Sequence, residues 1–207
     1  MSKGDETRLA VLDQAVDVAR KVGLSGLTIG SLAEQTRLSK SGLFAHFRSK
    51  EALQLSVLEH ARARFEAMVM VPALRTRRGE ARLRRFFDLW LEWDSLPGGC
   101  PFIAAATEFD DRPGPVRDRV VQDERDLFDS IATIFRTGIA EGQFRPDADP
   151  EQFAQDIYGV VLACHHAKRV LGHEFAETRA RRAFERLLDN ARVHAPAGGA
   201  APSTTSA

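Results

Sequence analysis

Residues 38–53 read "LSKSGLFAHFRSKEAL". Ser39 and Ser49 stand where helix N-caps belong, and each is followed directly by a lysine, Lys40 or Lys50. With Arg37 and Arg48 the segment is basic throughout, and no acid appears before Glu51. Leu38 and Leu43 fall at the two positions of a hydrophobic staple around Ser39, which fixes the entry of a helix beginning there. A cation in a first helical turn opposes the macrodipole and costs about 0.3–1 kcal/mol when exposed. An external phosphate reverses that sign, because helix N-termini bind anions. Taken singly, either lysine reads equally well as a solvated side chain, with Glu51 offsetting Lys50. Taken together at this spacing, they point to a polyanion outside the chain.

Upstream, Thr28 opens a short element with Ile29, Leu32 and Ala33 pointing inward, and residues 36–38 break it. The prediction for residues 28–46 is therefore helix, turn, helix. Lys40, Ser41 and Gly42 occupy the exposed first turn of the second helix. Gly42 has no side chain to hold another surface away. A helix that reads base edges in the major groove needs these features at its N-terminal end. Thr28, Ser39 and Ser49 are caps that can also donate to phosphate.

The pattern "LTIGSLAEQTRLSKSGLFAHFRSKEALQLSVL", residues 27–58, resembles the DNA-binding signature of the TetR family of transcriptional regulators. Thr28, Ile29, Ala33, Phe44, His46, Phe47, Ser49, Lys50, Glu51 and Leu53 carry the likeness, and "GQFRPDADPEQFA" (142–154) resembles a C-terminal element of the same family. The resemblance implies phosphate contacts from Thr28, His46 and Lys50, with base reading by Lys40, Ser41 and Gly42. The chain departs from the pattern in two places. Ser41-Gly42 stands where Gly-Thr is common, and Phe44 replaces a tyrosine whose hydroxyl would touch phosphate. Phe44 is left to pack on sugar and the thymine methyl. The resemblance further implies a homodimer on a double-stranded DNA operator, released by a small-molecule effector.

Composition bounds the rest. The 207 residues balance 29 Lys and Arg against 29 Asp and Glu, so a uniformly basic nucleic-acid binder is excluded and a local patch is not. Two cysteines, Cys100 and Cys164, make no disulfide framework. "MSKGDETR" shows no signal-peptide core, and no apolar run approaches a membrane span, so a cytoplasmic setting is expected. Cys164-His165-His166 lacks metal-ligand spacing, because adjacent helical side chains point about 100° apart. The expected arrangement is one core Cys, one half-buried His and one surface His, with no metal and no cofactor. Glycine-rich phosphate loops and nucleophile elbows are missing from the sequence, which gives no support to an enzyme.

Helical periodicity continues to about residue 193, so the fold class expected is all-α. Residues 1–52 form a helix-turn-helix DNA-binding domain, 53–194 a ligand-binding and dimerisation domain, and 195–207, rich in Pro and Gly, a disordered tail. Asp149-Pro150-Glu151-Gln152 reads as a capping box with proline at the first helical position. Phe153, Ile157, Val160 or Val161, Cys164 and Leu171, with Phe184, Leu187, Leu188 and Ala191, are expected to bury between two chains. Phe87, Trp90, Phe102, Phe109, Phe128 and Tyr158 beside Ala105 and its alanine neighbours are expected to enclose an apolar pocket. Glu108, His165 and Tyr158 are the candidates to orient a ligand in it. Glu108 reads equally as a solvated helix end beside Asp110 and Asp111. The rival to a ligand-released repressor is a helical small-molecule binder or enzyme without DNA binding, and a gel shift separates the two.

Overall fold

A computed structural model describes residues 3–36 and 38–193, and all its regular elements are helices. The tail at 195–207 lies outside the described residues. Helix α1 (Lys3–Gly26) breaks at Gly23, whose φ of 75° and ψ of 166° leave helical space. Thr28 caps α2 (Ile29–Thr36) reciprocally with Ser31: the Ser31 N–H donates to Thr28 Oγ1 at 3.0 Å and the Thr28 N–H to Ser31 Oγ at 3.0 Å. Ser39 Oγ accepts from the Gly42 N–H at 3.0 Å and opens α3 (Lys40–Phe47). Arg48, with φ of 55°, ends it. Ser49 then accepts from the Ala52 N–H at 3.0 Å and starts α4 (Lys50–Phe65).

Helix α4 does not stop where the sequence turns less regular. It passes through a π-helical turn (Glu66–Met70) into α5 (Val71–Leu74). Pro72 lacks an N–H, and the re-spaced ladder immediately before it leaves less to be broken. Residues 75–79 then turn the chain into α6 (Glu80–Asp94). Helices α7 (Pro101–Phe109), α8 (Pro115–Ala140), α9 (Pro150–Arg169) and α10 (Ala176–Ala191) follow. Asp149 caps α9 as expected, accepting from the Glu151 and Gln152 N–H groups at 2.9 and 3.1 Å. The second half of the capping box is not made, because the Gln152 side chain donates to Asp156 Oδ1 at 2.8 Å.

Two apolar cores share the chain. Helices α1–α4 close the first around Leu12, Val16, Leu32, Leu43, Phe47 and Val57, and Ala105, Phe109, Val116 and Val120 from α7 and α8 complete it. The second gathers Phe86, Phe87, Trp90, Trp93, Phe135 and Phe184 with residues of α8–α10. Arg20 of α1 sits in the seam, 4% exposed, its guanidinium 4.0 Å from the Trp93 ring centre. It donates to the carbonyls of Trp93 and Gly99, and burial lowers its pKa.

The last two helices correct one expectation. Phe153, Ile157, Val161, Cys164, Phe184, Leu188 and Ala191 are already buried within one chain. The side that α9 and α10 leave open is a groove of small residues, among them Gly159, Ala163, Ala167 and Ala183, edged by the half-buried Val160 and Leu187. No helix among the described residues is long and apolar enough to cross a membrane.

Candidate functional site

Helix α3 has two faces set by its period. Leu43 and Phe47, four residues apart, are buried against α2 and α4. Lys40, Ser41 and Phe44 share the opposite side and are exposed, Phe44 by 51%. Phe44 is the one large apolar side chain that α3 leaves open, and an aromatic exposed there has no folding role of its own. Gly30 of α2 leaves room for Lys40, whose Nζ lies 4.0 Å from where a β-carbon at residue 30 would stand. His46 is half-buried, its ring tilted against Phe47. Ser39 and Ser41 hold their hydroxyls 3.1 Å apart beside the Gly42 backbone. Thr28, Arg48 and Lys50 are exposed on the flanks, and among the described residues Lys40, Arg48 and Lys50 form no ion pair. A basic face without ion pairs among the described residues, with three caps along it, is suited to a phosphate backbone.

Lys50 carries a bond that the sequence did not reveal: its Nζ donates to the Ser25 carbonyl at 2.6 Å. Ser25 is held from the other side too. Its N–H donates to Glu108 Oε2 at 2.7 Å, and its Oγ accepts from Arg112 at 2.8 Å. A β-carbon on Gly23 would overlap the Glu108 carboxylate, so the glycine gives both the turn and the passage for this side chain. Glu108 is thus a strut between α7 and the end of α1, neither a pocket anchor nor a solvated helix end.

The second feature is a cavity of about 320 Å³. Its walls are Phe65, Met70, Trp90, Phe102, Ile103 and Leu127, and its rim is Arg62, Glu66, Asp123, Glu124, Asp126 and Tyr158. Of the residues expected to line a pocket, it brings together Trp90, Phe102 and Tyr158. The others lie elsewhere. Phe87 stacks on Phe184 with centroids 4.1 Å apart. Ala105 and Phe109 are turned into the first core. Phe128 packs on Tyr158 at 5.0 Å and lines a separate shallow hollow on α8. His165 pairs through Nδ1 with buried Asp94 at 2.6 Å. Cys164 is buried and His166 exposed, so the three neighbours part as helical geometry requires.

The rim is an ordered polar network. Arg62 donates to Asp126 at 2.5 Å, Glu66 at 3.0 Å and Asp123 at 2.9 Å, and these bonds, Asp126 first, raise its pKa. Tyr158 donates to Glu124 Oε1 at 2.6 Å. Burial, then the Glu124 carboxylate, pushes the Tyr158 hydroxyl well above its usual value, so it remains a donor. These acids were not among the residues singled out from the sequence. A signal was present: Val116, Val120, Leu127 and Ile131 mark the inward stripe of α8, and Asp123 and Glu124 interrupt it at the positions due to be apolar.

The comparisons with known proteins agree with this geometry. The family described as "Bacterial regulatory proteins, tetR family" matches residues 11–57, and "Tetracyclin repressor-like, C-terminal domain" matches residues 79–184. No curated protein matches the sequence. Among solved structures, a TetR transcriptional regulator from Chloroflexus aurantiacus J-10-FL is 29% identical, with a TM-score of 0.82 over 94% of this chain and 100% of that one. A TetR-family regulator from Cytophaga hutchinsonii is 20% identical, with a TM-score of 0.82 over 94% and 99%. AibR, solved in complex with isovaleryl coenzyme A and operator DNA, is 21% identical, with a TM-score of 0.71 over 88% and 98%. With both halves matched and the recognition helix built as described, the chain belongs to the TetR family of bacterial transcriptional regulators.

Proposed function

We propose that the protein is a repressor that binds a near-palindromic operator as a homodimer and is released when a mostly apolar small molecule fills the cavity of each chain. The observation that carries this reading is the pairing of two features in one chain. One is the exposed face of α3, where Lys40 forms no ion pair among the described residues and Phe44 is 51% exposed; the other is the apolar cavity about α4, α6, α7 and α8. Lys40, Ser41 and Gly42 read bases, and Phe44 packs on sugar and the thymine methyl. Thr28, Ser39, His46 and Lys50 hold phosphates. AibR, a protein of this fold, was solved with a small molecule and operator DNA together, which supports a ligand-responsive reading here.

One recognition helix of eight residues makes few base contacts. Two copies about a two-fold axis double them, and the operator then repeats that symmetry. The α9–α10 groove supplies the surface: Gly159, Ala163 and Ala167 let a facing helix approach closely, and Leu162, on the same helix, is 41% exposed among the described residues. Four helices from two chains form the bundle.

Footprinting on the DNA upstream of the protein's own gene tests the proposal. Two protected half-sites related by a dyad, bound by a dimer and lost on adding an effector, are expected. A single asymmetric half-site bound by a monomer overturns the operator and the dimer together. No gel shift with any DNA overturns the repressor.

A further inference from the structure

We infer that the effector carries one cationic group, an ammonium or amidinium, held at Glu124 beside the Tyr158 ring, with its apolar body against Phe65, Trp90 and Phe102. This rests on the proposal that the cavity is the effector site. The cavity walls account for an apolar ligand and say nothing of its charge; the rim does.

Four carboxylates, of Glu66, Asp123, Glu124 and Asp126, face one guanidinium, that of Arg62, around the opening. Arg62 is paired with three of them, through Nε to Glu66 and through Nη1 to Asp123 and Asp126. Asp123, its side chain 6% exposed, is neutralised from a second side by Arg119 at 2.9 Å. Glu124 is left over. It is half-buried, it forms no ion pair among the described residues, and its hydrogen bond comes from Tyr158, a neutral donor. Arg125, next in sequence, is exposed and does not pair with it.

A half-buried carboxylate without a counter-ion carries an unbalanced desolvation cost, which a ligand cation offsets. The aromatic faces beside it add to the attraction. Tyr158 packs against Phe128 at 5.0 Å and Trp90 at 6.1 Å, so a cation at Glu124 meets π-surface as well as charge. The same rim repels anions. A polyanionic ligand such as the coenzyme A thioester bound by AibR meets four carboxylates and one guanidinium that is already paired with three of them. The volume, about 320 Å³, sits at the lower end of the ~300–1,000 Å³ usual for small-molecule sites.

Three probes with one apolar body test the inference: 4-phenylbutylamine, 4-phenylbutanol and 4-phenylbutyrate, titrated calorimetrically into the full-length protein near neutral pH. The amine is expected to bind about tenfold tighter than the alcohol, and the acid more weakly than either. Glu124→Gln should bring the amine to the level of the alcohol. Glu66→Gln, which alters an exposed acid already bonded to Arg62, should keep the amine preference. Ile103→Trp, which fills the cavity, should abolish binding of amine and alcohol alike. If amine and alcohol bind wild type equally, or the acid binds best, the cation inference falls and the apolar cavity stands. If alcohol binding survives Ile103→Trp, or none of the three binds, the cavity reading falls and the inference with it.

Discussion

In the proposed DNA complex, Lys50 serves two surfaces. An ammonium has three donors, and one is directed to the Ser25 carbonyl, leaving two for a phosphate at the mouth of α4. The side chain is therefore held in place before DNA arrives, which lowers the entropy lost on contact. Lys50→Ala is expected to weaken binding to every DNA sequence alike and to lower the slope of log affinity against log salt by about one unit. Lys40 and Ser41, on the groove-facing turn of α3, behave otherwise. Substituting either should change which base is preferred, by about 1–3 kcal/mol per contact. Affinities measured over a salt series on two operators separate the roles, and a Lys50→Ala protein with altered preference and an unchanged slope reverses them. These residues were legible in the sequence because caps, staple and helix period are local. The Ser25 contact was not, since it joins residues far apart in the chain through a fold that local pattern does not specify.

At the scale of elements, what could be read depended on how many neighbours a helix has. α3 and α9 have one buried side each and strong caps, and their starts at Lys40 and Pro150 follow from Ser39 and Asp149. α7 lies between two cores. Its alanines and phenylalanines are apolar all round, so periodicity could not say that Phe102 faces the cavity while Ala105 and Phe109 face α1. The α9–α10 pair posed the same difficulty, and its outward side is marked by small residues, where the sequence reading looked for large ones. Leu187, half-buried at the edge of that groove, tests the interface. Leu187→Arg should give monomers by sedimentation and lose operator binding in the same step. Monomers that still bind the full operator normally contradict the bundle. A second tie between elements depends on pH. Glu80 at the start of α6 accepts two bonds from Arg192 at the end of α10, Nη2 to Oε1 at 2.6 Å and Nε to Oε2 at 2.9 Å, and Arg84 adds a third. Chiefly through Arg192, the Glu80 carboxyl is lowered from 4.5 to about 2. A lowered carboxyl stabilises the fold fully above its unfolded value and less as pH falls toward the folded one. Glu80→Gln should therefore cost about 1–2 kcal/mol at neutral pH. The gap between variant and wild type should narrow below pH 4.5 and close near pH 2, as read by urea unfolding. A gap constant across that range assigns the loss to packing instead.

In the whole molecule, the cavity and the DNA-facing surface are joined by two rods that meet at one residue. α4 begins at Lys50, beside the recognition helix, and reaches the cavity with Arg62 and Phe65. α7 enters the cavity with Phe102 and Ile103 and ends near Glu108, which grips Ser25. Lys50 holds the carbonyl of Ser25 and Glu108 its N–H, so any shift of α4 against α7 must lengthen one bond or carry the α1–α2 turn with it. That turn leads directly into Thr28 and α2, which position α3. On the proposed reading, a ligand that pushes the cavity walls apart acts on the recognition helix in part through this peptide segment. The energy at its disposal is its differential affinity for the two arrangements, typically about 1–3 kcal/mol of coupling. Glu108→Gln keeps the shape and removes the charge on the strut. It should leave effector affinity and effector-free operator affinity within about twofold of wild type, while the ratio of operator affinities with and without effector shrinks by about fivefold or more. Fluorescence anisotropy with labelled operator, with and without saturating effector, measures that ratio. If it stays at the wild-type value, Glu108 is a structural tie only, and the coupling runs through α4 without it.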